Sequence, residues 1–323
     1  MRIKSLCAAA IFFLIVPFSS SNLYSGGATL APQEQAKAPP YLVHKIAEGV
    51  YAVIAARDGN SGFVVGDDAV AVIDTFTSPD AARDLLAEIR KVTKLPVRFV
   101  VNTHYHLDHT GGNSVFVAEG ATIVAHRNVR AWTQTENLKF FGPNPKPEQK
   151  TRVESIAVPT VIYEDGIELF LGARRLVVRH LPGHTGSDSI VSVPDATPQG
   201  EVVFCGDLLW KTHLPNLIDA STGVWIETLD RLAKEYAGAI FVPGHGEVAT
   251  AADVGTFRDY LAGLRDAVTK ARSEGKTGDA LVDAVLPALK EKYGSWGFFQ
   301  NFAKSNILQT GEELAGKKRL PGM

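Results

Sequence analysis

Cysteine is nearly absent: the 323 residues hold two, Cys7 and Cys205. Long apolar runs are scarce too. The amino-terminal one, Leu6–Phe18, has 13 residues, where a membrane-spanning helix needs about 20. Arg2 and Lys4 precede it and Ser19-Ser20-Ser21 follow it, which is the pattern of a secretory signal peptide. Cleavage is expected after Ser21, Ser25 or Ala31. Cys7 stands at the front of the run, the wrong place for a lipoprotein acceptor. Once it leaves, Cys205 is the single thiol, no intramolecular disulfide can form, and the fold must rest on its core and on whatever it binds. Basic clusters are missing as well. The formal net charge of −2 becomes −4 when Arg2 and Lys4 depart. Gripping a phosphate backbone takes clustered Lys and Arg, so the chain is expected to act on a small molecule and not on nucleic acid. The expected location is periplasmic or secreted, with no stable membrane insertion after cleavage.

What the sequence does have is a dense cluster of metal-ligand residue types. Thr103-His104-Tyr105-His106-Leu107-Asp108-His109 puts three of the nine histidines and a carboxylate into six positions, directly after the strand-like run Val97–Val101. His104 and His106 are two apart, so in extended backbone their rings project to one side. Asp108 and His109 follow in the turn and can diverge toward a second point, which suggests two ligand sets. Imidazole nitrogen and carboxylate oxygen suit borderline metals such as zinc. Three more strand-like runs end in a ligand type beside glycine: Leu176–His184, Val202–Asp207 and Ala239–His245. Glycine lets the backbone approach closely at such ends.

These motifs in this order, HxHxDH, then His184-Thr185, Gly206-Asp207 and Gly244-His245, resemble the metallo-β-lactamase superfamily over roughly residues 42–250. The resemblance implies an α/β fold, a four-layer αββα sandwich, here with a C-terminal helical extension. It implies two Zn2+ per chain, with iron or manganese as the alternative metals. His104, His106 and His184 would hold the first, Asp108, His109 and His245 the second, and Asp207 would bridge both. Asp108 is also the expected catalytic residue, orienting a hydroxide that the metal pair generates near neutral pH for attack on a carbonyl. Asp74, at the end of the run Ala69–Ile73, matches the family's early Asp and is expected to orient a ligand. One main group of true β-lactamases has a Cys where this chain has Asp207. The expectation is therefore a generic exported hydrolase of esters, lactones, thioesters or amides. A β-lactamase is the first alternative, an iron-dependent oxidoreductase of the same fold the second.

The remaining chain divides coarsely. Residues 22–41 read as a linker, 42–250 as the hydrolase domain and 251–323 as the helical extension. Strands are expected at 42–46, 50–55, 61–66 and 69–73, with the turn Arg57–Gly62 overhanging the site. A helix is expected from Pro79 to about Lys94, with Ala82, Leu85, Leu86 and Ile89 on its apolar face. Val254, Phe257, Leu261, Leu264 and Val268 predict a helix ending near Gly275, and Asp279–Lys292 another. These last helices are expected to pack on their own domain and also offer a face for oligomer contacts. Residues 139–151 carry three prolines and are read as irregular, with Phe140 and Phe141 as substrate-covering side chains. Trp210, Lys211 and His213 follow Asp207 and are the other substrate-binding candidates, Lys211 for a carboxylate. His44, His126 and His180 are read as structural or surface residues.

Overall fold

Continuous apolar strands demand cover on both faces, and the computed structural model supplies it. It describes residues 41–56, 58–198 and 200–321; the expected leader and all but the last residue of the expected linker lie outside this range. The first sheet has seven strands: β1 (Tyr41–Ala47), β2 (Val50–Ala55), β3 (Ser61–Val65), β4 (Val70–Ile73), β5 (Val97–Asn102), β6 (Thr122–His126) and β7 (Val161–Tyr163), in that spatial order. β1 to β4 are antiparallel, β4 to β7 parallel. The second sheet contains β8 (Gly166–Leu171), β9 (Arg174–His180), β10 (Ser189–Thr197), β11 (Gly200–Trp210) and β12 (Ile240–His245), in the order β12-β11-β10-β9-β8.

Strand alternation builds the layers. In β4, Ala71 and Ile73 join a core between the sheets, with Val64, Val101, Val178, Val191 and Phe204. Val70 and Val72 face the other way, onto α1 (Pro79–Val92) through Leu85 and Ile89 and onto α3 (Asn113–Ala118) through Phe116. α1 begins where Ser78 accepts a hydrogen bond from the Ala81 N–H, with Pro79 in its first turn. It stops at Val92, two residues before the expected end, because Thr93 is already extended ahead of Pro96. The outer face of the second sheet buries Val203, Cys205 and Phe241 against α6 (Thr222–Glu235) and three C-terminal helices, α7 (Ala251–Ser273), α8 (Gly278–Tyr293) and α9 (Phe299–Leu314). The result is an αββα sandwich whose second helical layer is thickened by the C-terminal segment.

Two expectations need correction. Residues 139–151 are not irregular: a 3₁₀ helix, Glu136–Phe141, enters the segment and α5 (Pro147–Glu154) leaves it. Before both, α2 (Leu107–Thr110) and α4 (Arg127–Trp132) are single short turns. Pro147 stands at the first turn of α5, where its missing N–H costs nothing, so only about residues 142–146 are without regular structure. Nor does the strand at Val202 end before Asp207. β11 runs on to Trp210, with register shifts against β12 at Gly206 that turn the Asp207 side chain without ending the strand.

Candidate metal centre

The carboxyl ends of β4, β5, β9 and β12 and the shifted stretch of β11 meet along one edge of the sandwich, the place where open α/β sheets bind ligands. There His104, His106, His184 and Asp207 offer ligand atoms all within 4.8 Å of one another, as do Asp108, His109 and His245. Asp207 stands between the groups. Its Oδ2 is 3.3 Å from His184 Nε2 and 3.7 Å from His104 Nε2, while its Oδ1 is 3.1 Å from His109 Nε2 and 3.5 Å from His245 Nε2. Asp108 Oδ2 completes the second group, 3.4 Å from His245 Nε2 and 3.6 Å from His109 Nε2.

Close packing makes this possible. A Cβ on Gly244 would fall 1.9 Å from Asp207 Oδ1, so only glycine leaves room for the carboxylate. A Cβ on Gly59 would fall 2.5 Å from His109 Nε2, so the turn after β2 does reach the second group. Asn60 fixes that turn, its amide donating to the carbonyls of Pro243 at 2.9 Å and Gly246 at 2.8 Å, on either side of His245.

The residues fit metal ions. His104 Nε2, His109 Nε2, His245 Nε2 and Asp207 Oδ1 are buried without a hydrogen-bond partner. Each such orphan costs about 1–3 kcal/mol unless something binds it, and imidazole with carboxylate is a zinc donor set. Electrostatics agree. Burial would raise the Asp207 carboxyl, but the imidazoles of His109, His245 and His104 hold it well below the usual carboxylate range. Burial opposes charge on His109 and His245, yet Asp207 and Asp108 raise both, His245 to about 9. In the other group burial dominates: His104 is pushed well below its ordinary value and His184 down to about 3.

The outward-facing ring nitrogens are held in turn. Asp74 accepts from Thr103 N at 2.8 Å and Thr103 Oγ1 at 2.7 Å, and its Oδ2 lies 2.9 Å from His109 Nδ1. It does so from the left-handed backbone region, φ 58°. Asp219 plays the same part for His106, Oδ2 to Nε2 at 3.0 Å, leaving His106 Nδ1 facing His184. Asp219 is fixed by Tyr105 Oη and by Lys139 Nζ at 2.6 Å. Sequence reasoning reached Asp74 but missed Asp219, which lies 113 residues from His106 and belongs to no motif. The network predicts that Asp219→Asn weakens metal binding at this centre about 10–100-fold, the usual cost of losing such an outer partner. Competition with a chromogenic chelator measures it, and unchanged affinity would exclude Asp219 from orienting His106.

The other candidates separate. Trp210 stacks on His245 with ring centroids 3.9 Å apart, and Phe140 meets the His106 ring edge-on at 5.0 Å. Both line a cavity of about 280 Å³ over the ligand groups. Phe141 is not among its lining residues. Lys211 is a correction: its Nζ donates to Val248 O at 2.8 Å and pairs with Asp253 at 3.3 Å, so it secures the start of α7 and is not free for a substrate carboxylate. His213 holds Lys211 O at 2.7 Å and packs on Phe298, outside the lining. His126 and His180 stack on each other at 3.9 Å, away from the centre. Lining residues that the sequence did not flag are Thr77, Leu107, Asn216, Phe298 and Phe302. The one available signal was the surplus of tail aromatics around Trp296.

Comparison with known proteins bears on the fold and the family. A family model described as the metallo-beta-lactamase superfamily matches residues 54–245. The chain is 24% identical over 280 residues to a linear primary-alkylsulfatase from Pseudomonas sp., covering 71% of this chain and 52% of that protein. It is 29% identical over 177 residues to a hydroxyacylglutathione hydrolase from Brucella anthropi, covering 54% and 57% respectively. The chain thus spans about half the length of the curated relatives it matches. Among solved structures, a sec-alkylsulfatase from Pseudomonas sp. superposes with a TM-score of 0.64 at 16% identity, covering 85% of this chain and 50% of that one. A metallo-beta-lactamase from Pontibacter korlensis gives 0.57 at 22% identity, covering 69% of this chain and 99% of that one.

Proposed function

The chain belongs to the metallo-β-lactamase superfamily, and on that footing we propose that it is an exported hydrolase with two zinc ions, cleaving a small uncharged ester or thioester. The observation that carries the reading is Asp207, whose two oxygens each face a separate group of buried ligand atoms, with His104 Nε2 on one side and His109 Nε2 and His245 Nε2 on the other lacking any hydrogen-bond partner. His104, His106 and His184 would hold one ion, Asp108, His109 and His245 the other, and Asp207 both. When bound, the pair would supply a hydroxide at neutral pH and polarise the substrate oxygen. The chain's own residues do the rest. Asp74 and Asp219 fix the ring orientations of His109 and His106. Asp108, the partly exposed carboxylate lining the cavity, would orient the nucleophile. Trp210 and Phe140 wall the floor with apolar surface and limit water. Export rests on the amino-terminal pattern; among the described residues no helix is long and apolar enough to cross a membrane.

A second reading, cleavage of an alkyl sulfate ester, is favoured by the reach of the similarity, which covers 71% of this chain for the alkylsulfatase against 54% for the hydroxyacylglutathione hydrolase. Elemental analysis of the purified protein, followed by a panel of carboxylic ester, thioester, lactone, β-lactam and alkyl sulfate substrates, decides among them. Two zinc per chain with ester or thioester turnover supports the first reading. Turnover of alkyl sulfates alone supports the second. Iron with redox activity and no hydrolysis would sink both.

A further inference from the structure

Phe298 adopts a left-handed backbone, φ 59°, at the start of α9. A non-glycine residue persists there only where its surroundings over-determine it. They do so here. Gly297 N donates to Thr212 O at 2.9 Å and Gly297 O accepts from Leu214 N at 2.8 Å, stitching the tail to the chain just beyond β11. The stitch delivers the Phe298 ring to His245, centroids 5.8 Å apart, and to Trp210 at 6.0 Å. Phe302, one helical turn on, lies 5.9 Å from Phe298 and 6.4 Å from Trp210.

The neighbouring Phe299 is buried at 5% exposure in the helical core, whereas Phe298 and Phe302 are only half-buried and open into the cavity. Phe299 belongs to the helical core, while Phe298 and Phe302 pack against that core with one side and present the other to the cavity. Leu107 and Phe140 add further apolar surface to the same cavity, whose lining holds no Lys or Arg among the described residues. The family match ends at residue 245, so Phe298 and Phe302 lie beyond it, in the C-terminal helical segment.

We infer that Phe298 and Phe302 are specificity-determining residues, forming a wall supplied by the C-terminal helices that seats a linear alkyl or acyl chain of the substrate while its reacting group meets the ligand floor. The inference rests on the hydrolase reading for the identity of the reacting group but not for the wall itself.

Calorimetry with butyrate and hexanoate on the zinc-loaded protein tests it, since the shared carboxylate cancels and the ratio reads two methylenes. At about 0.8 kcal/mol per buried CH2, hexanoate should bind on the order of tenfold more tightly. Phe302→Ala should reduce that preference threefold or more while zinc content stays at the parent level. Phe302→Leu provides the same reading if the alanine variant fails to fold. In ester assays the loss should appear in KM for hexanoyl over butyryl p-nitrophenyl esters, with kcat nearly unchanged. A parent ratio near one, or a ratio unaffected in both Phe298→Ala and a folded Phe302 variant, overturns the wall. Absence of any ester turnover beside an intact calorimetric ratio would instead count against the hydrolase reading alone.

Discussion

On the two-zinc reading, replacing Asp207 by Asn should lower kcat by more than about 100-fold and reduce the zinc content from two per chain to one or fewer. Loss of an outer partner such as Asp74 or Asp219 costs about 10–100-fold, and a carboxylate shared between both groups must cost more. Asn is the informative substitution because it keeps the shape that Gly244 accommodates, 1.9 Å being the space a Cβ there would leave to Asp207 Oδ1. The amide brings no negative charge to the His109 and His245 side and one oxygen where two were needed. The remaining metal should be held by whichever group keeps that oxygen. Elemental analysis and single-substrate kinetics on the same preparation check both halves. Two tightly held zinc ions with kcat within tenfold of the parent would remove Asp207 from the centre.

The six positions from His104 to His109 were legible because ligand types seldom crowd so closely without a shared task, and the runs before them announced the strands that position them. The same local logic located α1, α7 and α8 and the buried faces of the first two. What could not be read was anything decided by contact between distant segments. Asp219 meets His106 through folding alone. Lys211 looked well placed in sequence, yet the strand carrying Asp207 continues to Trp210, and Lys211 turns back to the first turn of α7. Phe298 reaches the cavity through a left-handed residue and two backbone hydrogen bonds, neither of which any periodicity signals. The prolines of 139–151 misled in the opposite direction, since Pro147 starts a helix and does not break one.

Chelation should lower the melting temperature by at least about 10 °C, and by more as pH rises from 6.5 to 9. Ligands that bind only the folded state add about 4 kcal/mol each when present at a thousand times Kd. In a domain of this size each kcal/mol is worth about 2–4 °C. The pH trend follows from the stripped site. His109 and His245 are raised above their ordinary values by burial-opposing carboxylates, His245 to about 9. The stability they contribute is fully present below an unfolded pKa of about 6.5 and is lost as pH rises through the folded values. His104 and His184 are lowered, so their contribution is present above about 6.5 and is lost as pH falls toward the folded values. The stripped protein should therefore be most stable near pH 6.5 and weaken on the alkaline side. The loaded protein moves the other way, because metals bind deprotonated ligands and hold more tightly as pH rises. Reductant should change neither curve, Cys205 being the one cysteine among the described residues and buried unpaired. Scanning calorimetry of loaded and stripped protein at pH 6.5, 7.5 and 9 measures the gap. A gap that stays constant or narrows across that range would mean that His109 and His245 are not the protons the metals displace.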